Sequence, residues 1–171
     1  MKENPMREIR IEKLTLNMGC ADDKDKLKRA EKLLQMISGQ KPIITKTRKR
    51  TTFGMPRKKP IGVKVTLRKE KAEKFLKDAL TAVDNELKEK QINPGDFSIG
   101  IKEYIDLPNV EYDPDVGILG LDVSVTLERP GFRVKRRHIR KTNIGKGHII
   151  SKEETISWLK KKFEVNIIGG G

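Results

Sequence analysis

Arg48, Lys49 and Arg50, then Arg57, Lys58 and Lys59, stand on either side of a small apolar tip, Thr51-Thr52-Phe53-Gly54-Met55-Pro56. Guanidinium forks grip phosphate oxygens two at a time, and ammonium groups act on them as point charges. An exposed Phe or Met can stack on, or wedge against, a base or ribose. Residues 41–69 hold eleven Lys and Arg and no acid; residues 129–152 hold nine more, again with no acid. The rest of the 171-residue chain is mildly acidic, so its formal charge of +14 is concentrated rather than spread. Such concentrations call for a polyanion, and RNA or DNA is the usual one. The bland alternative for the 47–60 loop is a solvated segment with Phe53 tucked into the core. In the second stretch, Arg133, Lys135, Arg136, Arg137, Arg140 and Lys141 could line a phosphate groove, or form a nuclear-import-like run or a solvated tail.

Other chemistry is poorly provided for. His138 and His148 are the only histidines, both in cationic surroundings that disfavour protonation and metal binding. There is no GxxxxGK[ST] loop, GxSxG elbow or HExxH pair, and Gly145-Lys146-Gly147 is too short for a phosphate loop. Glu111, Asp113 and Asp115 resemble an acid/base or metal cluster only superficially. Prolines and a glycine frame them, so an exposed turn is the simpler reading, and docking of a basic partner protein a third. No enzyme, metal site or cofactor is expected. The single cysteine, Cys20, excludes an intramolecular disulfide and a cysteine-rich zinc site, and fits a reducing, intracellular compartment. No apolar run approaches the roughly 20 residues of a membrane span, and the N-terminus MKENPMREIR has no signal-peptide core, so neither membrane nor export is expected. Three functional classes are weighed: an RNA-binding structural protein, a nucleic-acid enzyme lacking any convincing site, and an interaction protein for acidic surfaces.

The elements that must position these residues follow from periodicity. Residues 9–18 read as a strand whose parity switches between Ile9/Ile11 and Leu14/Leu16, which predicts a bulge near Glu12 and Lys13. Residues 24–38 read as a helix with a Leu27, Ala30, Leu34, Ile37 stripe, stopped by Gly39. Gln40 beside that stop could meet a base edge or belong to a plain helix-end turn; Met18 reads as core. Ile43–Lys46 is a short strand, and 61–68 another, with Ile61, Val63, Val65 and Leu67 on one side and Lys64, Thr66 and Arg68 on the other. Residues 70–90 read as the longest helix, its apolar face running from Ala72 to Val83 and Leu87. A turn at 93–96, a strand through Phe97, Ile99 and Ile101, an acidic loop at 106–118 and a strand at 119–127 follow. Ser151 and Glu154 predict a capping box for a last helix docked by Ile156 and Leu159, with Trp158 or Phe163 nearby. The expected fold is α+β: a two-layer sandwich with a mainly antiparallel sheet, helices on one face, and a long basic loop. Residues 1–168 are expected to form one RNA-binding domain, with Gly169–Gly171 a tail.

Several runs together carry a family resemblance: Ile11–Gly19, Ser38–Lys46, Pro60–Arg68, Phe97–Glu103 and Asp113–Asp122. In order and spacing, from about residue 8 to 128, they resemble the large-subunit ribosomal protein L-five family. The resemblance implies a cytoplasmic ribosomal protein of the central protuberance. It implies binding to 5S rRNA, contact with P-site tRNA through one loop, and a bridge to the small subunit. Carried onto matching positions, it implies an rRNA surface from Asn17, Gln40, Lys41, Thr45, Lys46, Arg48, Lys64, Thr66 and Arg68. To this the second basic segment adds Arg133, Arg136 and Arg137. The tRNA loop would be Lys49, Arg50, Thr51, Thr52, Phe53, Gly54, Met55, Arg57 and Lys58. The bridge would be Tyr112, Asp113, Asp115 and Val116, facing a basic small-subunit protein. The extra N-terminal helix of bacterial members is missing, and residues 129–152 with the Trp158 helix look like the archaeal and eukaryotic branch. Their partner would be 23S-type rRNA or a neighbouring large-subunit protein.

Overall fold

The computed structural model describes residues 4–21, 23–50, 54, 56–108 and 110–169. The chain opens with strand β1 (Arg10–Gly19), whose register on a later strand shifts between Ile11 and Lys13, as the parity switch predicts. Helix α1 (Lys24–Ser38) starts at Asp23, whose carboxylate accepts the amides of Asp25 and Lys26 at 2.9 and 3.0 Å. Those two hydrogen bonds hold the Asp23 carboxyl below the usual aspartate range. Gly39 ends the helix in the left-handed region, at φ 60°. Strands β2 (Ile43–Lys46) and β3 (Pro60–Leu67) flank the basic loop, and α2 (Glu70–Thr81) follows.

Here the expected helix is too long. Asp84 and Asn85 take φ 53° and 56°, the left-handed conformation their short polar side chains tolerate, and the Asn85 amide returns to the Leu80 carbonyl at 2.9 Å. Val83 and Leu87 therefore lie beyond the helix, and Leu87 is buried from a short strand, β4 (Glu86–Lys88). Strands β5 (Ile92–Asn93) and β6 (Asp96–Ile101) form a hairpin across Pro94-Gly95, with Gly95 at φ 77°. Strand β7 (Leu121–Glu128), the short helix α3 (Arg133–Arg136), α4 (Lys152–Phe163) and β8 (Asn166–Ile168) complete the chain.

Six strands form one antiparallel sheet in the order β2-β3-β1-β7-β6-β5. A second, parallel pair joins β4 to β8. Alternation along β1, β3, β6 and β7 puts Leu14, Leu16, Val63, Val65, Ile99 and Val123 on one face. That face packs against Ala30, Leu33 and Leu34 of α1, Phe75, Leu76 and Leu80 of α2, and Leu159 of α4. Each fully buried Leu or Ile stabilises the fold by about 1.5–3 kcal/mol. Leu33, absent from the predicted stripe, is as buried as Leu34. Helix α4 carries the expected capping box, and Trp158 donates its indole N–H to the Ile9 carbonyl at 3.2 Å while meeting Phe163 edge-on. All three long helices thus cover one face, and the other face of the sheet stays open.

Candidate nucleic-acid interface

Register decides what the open face displays. β1 sets Asn17 opposite Lys64 of β3 and Asp122 of β7, and sets Thr15 opposite Thr66 and Ser124. β6 extends these rows with Gly100 opposite Asp122 and Ser98 opposite Ser124. One row is therefore a line of hydroxyls, Thr66, Thr15, Ser124 and Ser98; the next runs from Lys64 through Asn17 to Asp122. A shallow hollow on this face is lined by Thr15, Asn17, Ser98, Gly100, Asp122 and Ser124. Small polar side chains keep the surface flat enough for a backbone to lie on it, and hydroxyls both donate and accept. Gly62 allows the β1–β3 approach: a Cβ there would sit 2.6 Å from the Met18 carbonyl oxygen.

The face is graded in charge. Towards β2 and β3 stand Lys64 and the exposed Lys41, Lys46, Arg48 and Arg68; towards β7 and β6 stand Asp122 and Asp96. Thr45 pairs with Gly62, and Lys46 pairs with Pro60 after a register shift. Gln40 is half-buried, and its amide is held by the Ser38 hydroxyl in the turn after α1. The hydroxyls of β6 and β7 and Asp122 were not foreseen as site residues. Their alternation was visible in sequence, but only strand order brings them beside Asn17.

The basic loop leaves the sheet through a closed neck. The Thr47 amide and carbonyl bond to Lys59 and Lys58 at 2.9 Å each, and the Thr47 hydroxyl donates to the Pro56 carbonyl at 2.7 Å. Lys49, Arg50, Gly54 and Arg57 are exposed beyond that neck, and the Lys58 side chain is exposed at it. Thr51, Thr52, Phe53 and Met55 lie outside the described residues.

The second basic segment folds back onto the sheet end. Arg129 is only 5% exposed. Its guanidinium pairs with Glu154 at 2.8 Å and donates to the carbonyls of Arg7 and His148 at 3.2 and 3.4 Å. Glu154 is held below the usual glutamate range, first by the Ser151 amide and then by Arg129. Arg136, expected among the RNA ligands, pairs with two carboxylates of its own chain, Glu12 on β1 and Glu128 on β7, the latter at 2.5 Å. Its charge is answered within the chain, because α3 lies against the β1–β7 end. Arg133 and Arg137 are exposed, although Arg137 also donates to the Arg140 carbonyl at 2.8 Å. His148 uses Nε2 on the Pro130 carbonyl at 2.9 Å and meets Phe132 edge-on, so it is a structural group.

The acidic loop is fastened at Asp113 and Asp115. Tyr104, fully buried, accepts the Asp113 amide on its hydroxyl at 3.0 Å, and Lys32 of α1 reaches Asp113 at 2.9 Å and Asp115 at 3.3 Å. The lysine holds the Asp113 carboxyl low, and Asp113 in turn raises the lysine. Tyr112 and Asp115 are exposed, whereas Val116 is buried and anchors the loop rather than presenting a surface. Among the described residues no group of three or more His, Cys, Asp or Glu could hold a metal, and no helix is long and apolar enough to cross a membrane.

Two family models match the chain. Residues 4–52 match the family model described as ribosomal protein L5, and residues 60–158 match that of the ribosomal L5P family C-terminus. Large ribosomal subunit protein uL5 of Archaeoglobus fulgidus is 50% identical over 159 residues, covering 92% of this chain and 89% of that one. Its counterpart in Nanoarchaeum equitans is 48% identical over 168 residues, covering 97% and 99%. The one in Sulfurisphaera tokodaii is 47% identical over 171 residues, covering 98% and 96%.

Proposed function

We propose, since this chain belongs to the ribosomal protein L5 family and is a structural, non-catalytic constituent of the large ribosomal subunit, that residues 1–168 work as one RNA-binding unit whose open sheet face binds 5S rRNA. The observation that carries this reading is the β1–β3 register, which makes one surface of Lys64, Asn17, Thr66 and Thr15. Lys41, Lys46, Arg48, Lys64 and Arg68 neutralise phosphates and supply affinity. The hydroxyl rows meet ribose 2′-hydroxyls, and Asn17 and Gln40 meet base edges, so a folded RNA is selected by shape. Asp122 and Asp96 repel phosphate and set the limit of the footprint on the β6 side.

The remaining contacts rest on the family and on charge. The loop carrying Lys49, Arg50, Gly54, Arg57 and Lys58 reaches P-site tRNA. Arg133 and Arg137 meet 23S-type rRNA. Tyr112, Asp113 and Asp115 face a basic small-subunit protein, with Val116 as their anchor. The test is binding of the purified chain to 5S rRNA, total tRNA and a random RNA of equal length over a salt series. Selective 5S binding that survives moderate salt and drops with Arg68→Ala or Lys46→Ala is the expected result. Equal binding to every RNA, vanishing with salt, would overturn the sheet face as a specific site.

A further inference from the structure

A groove on the helix side of the molecule remains unassigned. Met36 of α1, Phe75 of α2, and Pro108 and Val110 of the acidic loop form its apolar walls, and Asp78 and Glu111 are its charges. Its volume is about 190 Å³, room for one long side chain rather than a folded segment. Every ionisable group lining it is acidic, in a chain of net charge +14. The Asp78 side chain is half-buried with no hydrogen-bond or ion-pair partner among the described residues, and burial pushes its carboxyl up. A desolvated carboxylate without a counter-charge is costly, and the arrival of a cation would relieve it. Met36 is 51% exposed, leaving an apolar wall in water.

The same helix and loop already show what fits between them. Lys32, one turn before Met36, lies between Asp113 and Asp115. The groove likewise sets acids beside apolar side chains, with Asp78 on α2 and Glu111 on the loop. We propose that it receives one lysine or arginine side chain from an extended basic segment of another protein. The methylene stem would pack on Met36, Phe75 and Val110, with the charged head between Asp78 and Glu111. RNA is the poorer occupant, since two carboxylates repel phosphate. The identity of the donor as a neighbouring ribosomal protein rests on the large-subunit reading; the groove chemistry does not.

The test is an NMR titration of the full chain with a capped Leu-Lys-Leu peptide, its acetyl-lysine counterpart, and a short RNA oligonucleotide. Amide shifts confined to residues 36–37, 75–78 and 110–111 are expected with the lysine peptide. Acetylation, Asp78→Asn and Glu111→Gln should each weaken binding, the first two about tenfold, as loss of one half-desolvated ion pair would. Absence of those shifts at millimolar peptide, indifference to acetylation or to Asp78→Asn, or the same shifts with RNA would overturn the proposal. Co-sedimentation of the same chain with large subunits tests the ribosomal reading separately.

Discussion

Among the described residues, none of Lys41, Lys46, Arg48, Lys49, Arg50, Arg57, Lys58, Lys64 or Arg68 pairs with a carboxylate, whereas in the second basic segment Arg129, Arg136 and Lys152 are each held by acids of their own chain. Lys152 reaches Glu89 at 2.7 Å. Two stretches of similar cation density thus do different work. In the first, the nine cations just named are exposed on and around an edge strand, its neighbour and a necked loop. The second uses part of its charge to fasten α3 and α4 to the sheet, leaving Arg133 and Arg137 exposed at its surface. The lesson is that cation density indicates a polyanion partner for a segment, but not which of its cations meet that partner. A fold that brings Glu12, Glu128 and Glu154 to the same end decides that.

The contrast breaks most sharply in RNA binding. Replacing Arg48, Lys49, Arg50 and Arg57 together by Gln should weaken RNA affinity about a hundredfold or more at moderate salt, and should flatten the log–log salt dependence by about 0.7 per lost phosphate contact. Arg136→Gln should leave that slope unchanged. An equal loss of slope from Arg136→Gln would show that the Glu12–Arg136–Glu128 cluster opens for RNA.

Stability should respond in the opposite order. Glu154→Ala strands the Arg129 guanidinium with carbonyl partners alone, so denaturant unfolding should show a loss of about 3 kcal/mol. Arg136→Gln, whose partners are partly exposed, should cost about 0.5–1 kcal/mol. Loop substitutions should leave the unfolding midpoint where it is. A midpoint that moved with them would mean that the loop cations support the fold.

Acid gives the smallest and most local effect. Glu154 has a lowered pKa in the folded chain, so it binds protons less readily there than when unfolded. Its contribution is fully present above the ordinary glutamate pKa and is lost as pH falls through the lowered folded value. Stability measured downward in pH should therefore fall less steeply in Glu154→Gln than in the parent. Identical slopes would remove the Ser151 amide and Arg129 as the cause.

Much of this molecule was legible from residue order alone. The bulge near Glu12, the Gly39 stop, the alternation through β3 and the Ser151–Glu154 box are local effects of period and capping, which neighbours along the chain determine. The end of α2 was misplaced because propensity favours continuing through Val83 to Leu87. The left-handed Asp84-Asn85 turn pairs β4 with β8, a partner 80 residues away. By itself the sequence determined where the basic charge is concentrated, which residues alternate, and the family. Only the tertiary structure decided that Thr15, Thr66, Ser98 and Ser124 share a row, that Arg136 meets two acids, and that the Asp78 side chain has no partner among the described residues. Those are relations between segments far apart in the chain, set by strand order and helix packing, which no local period encodes.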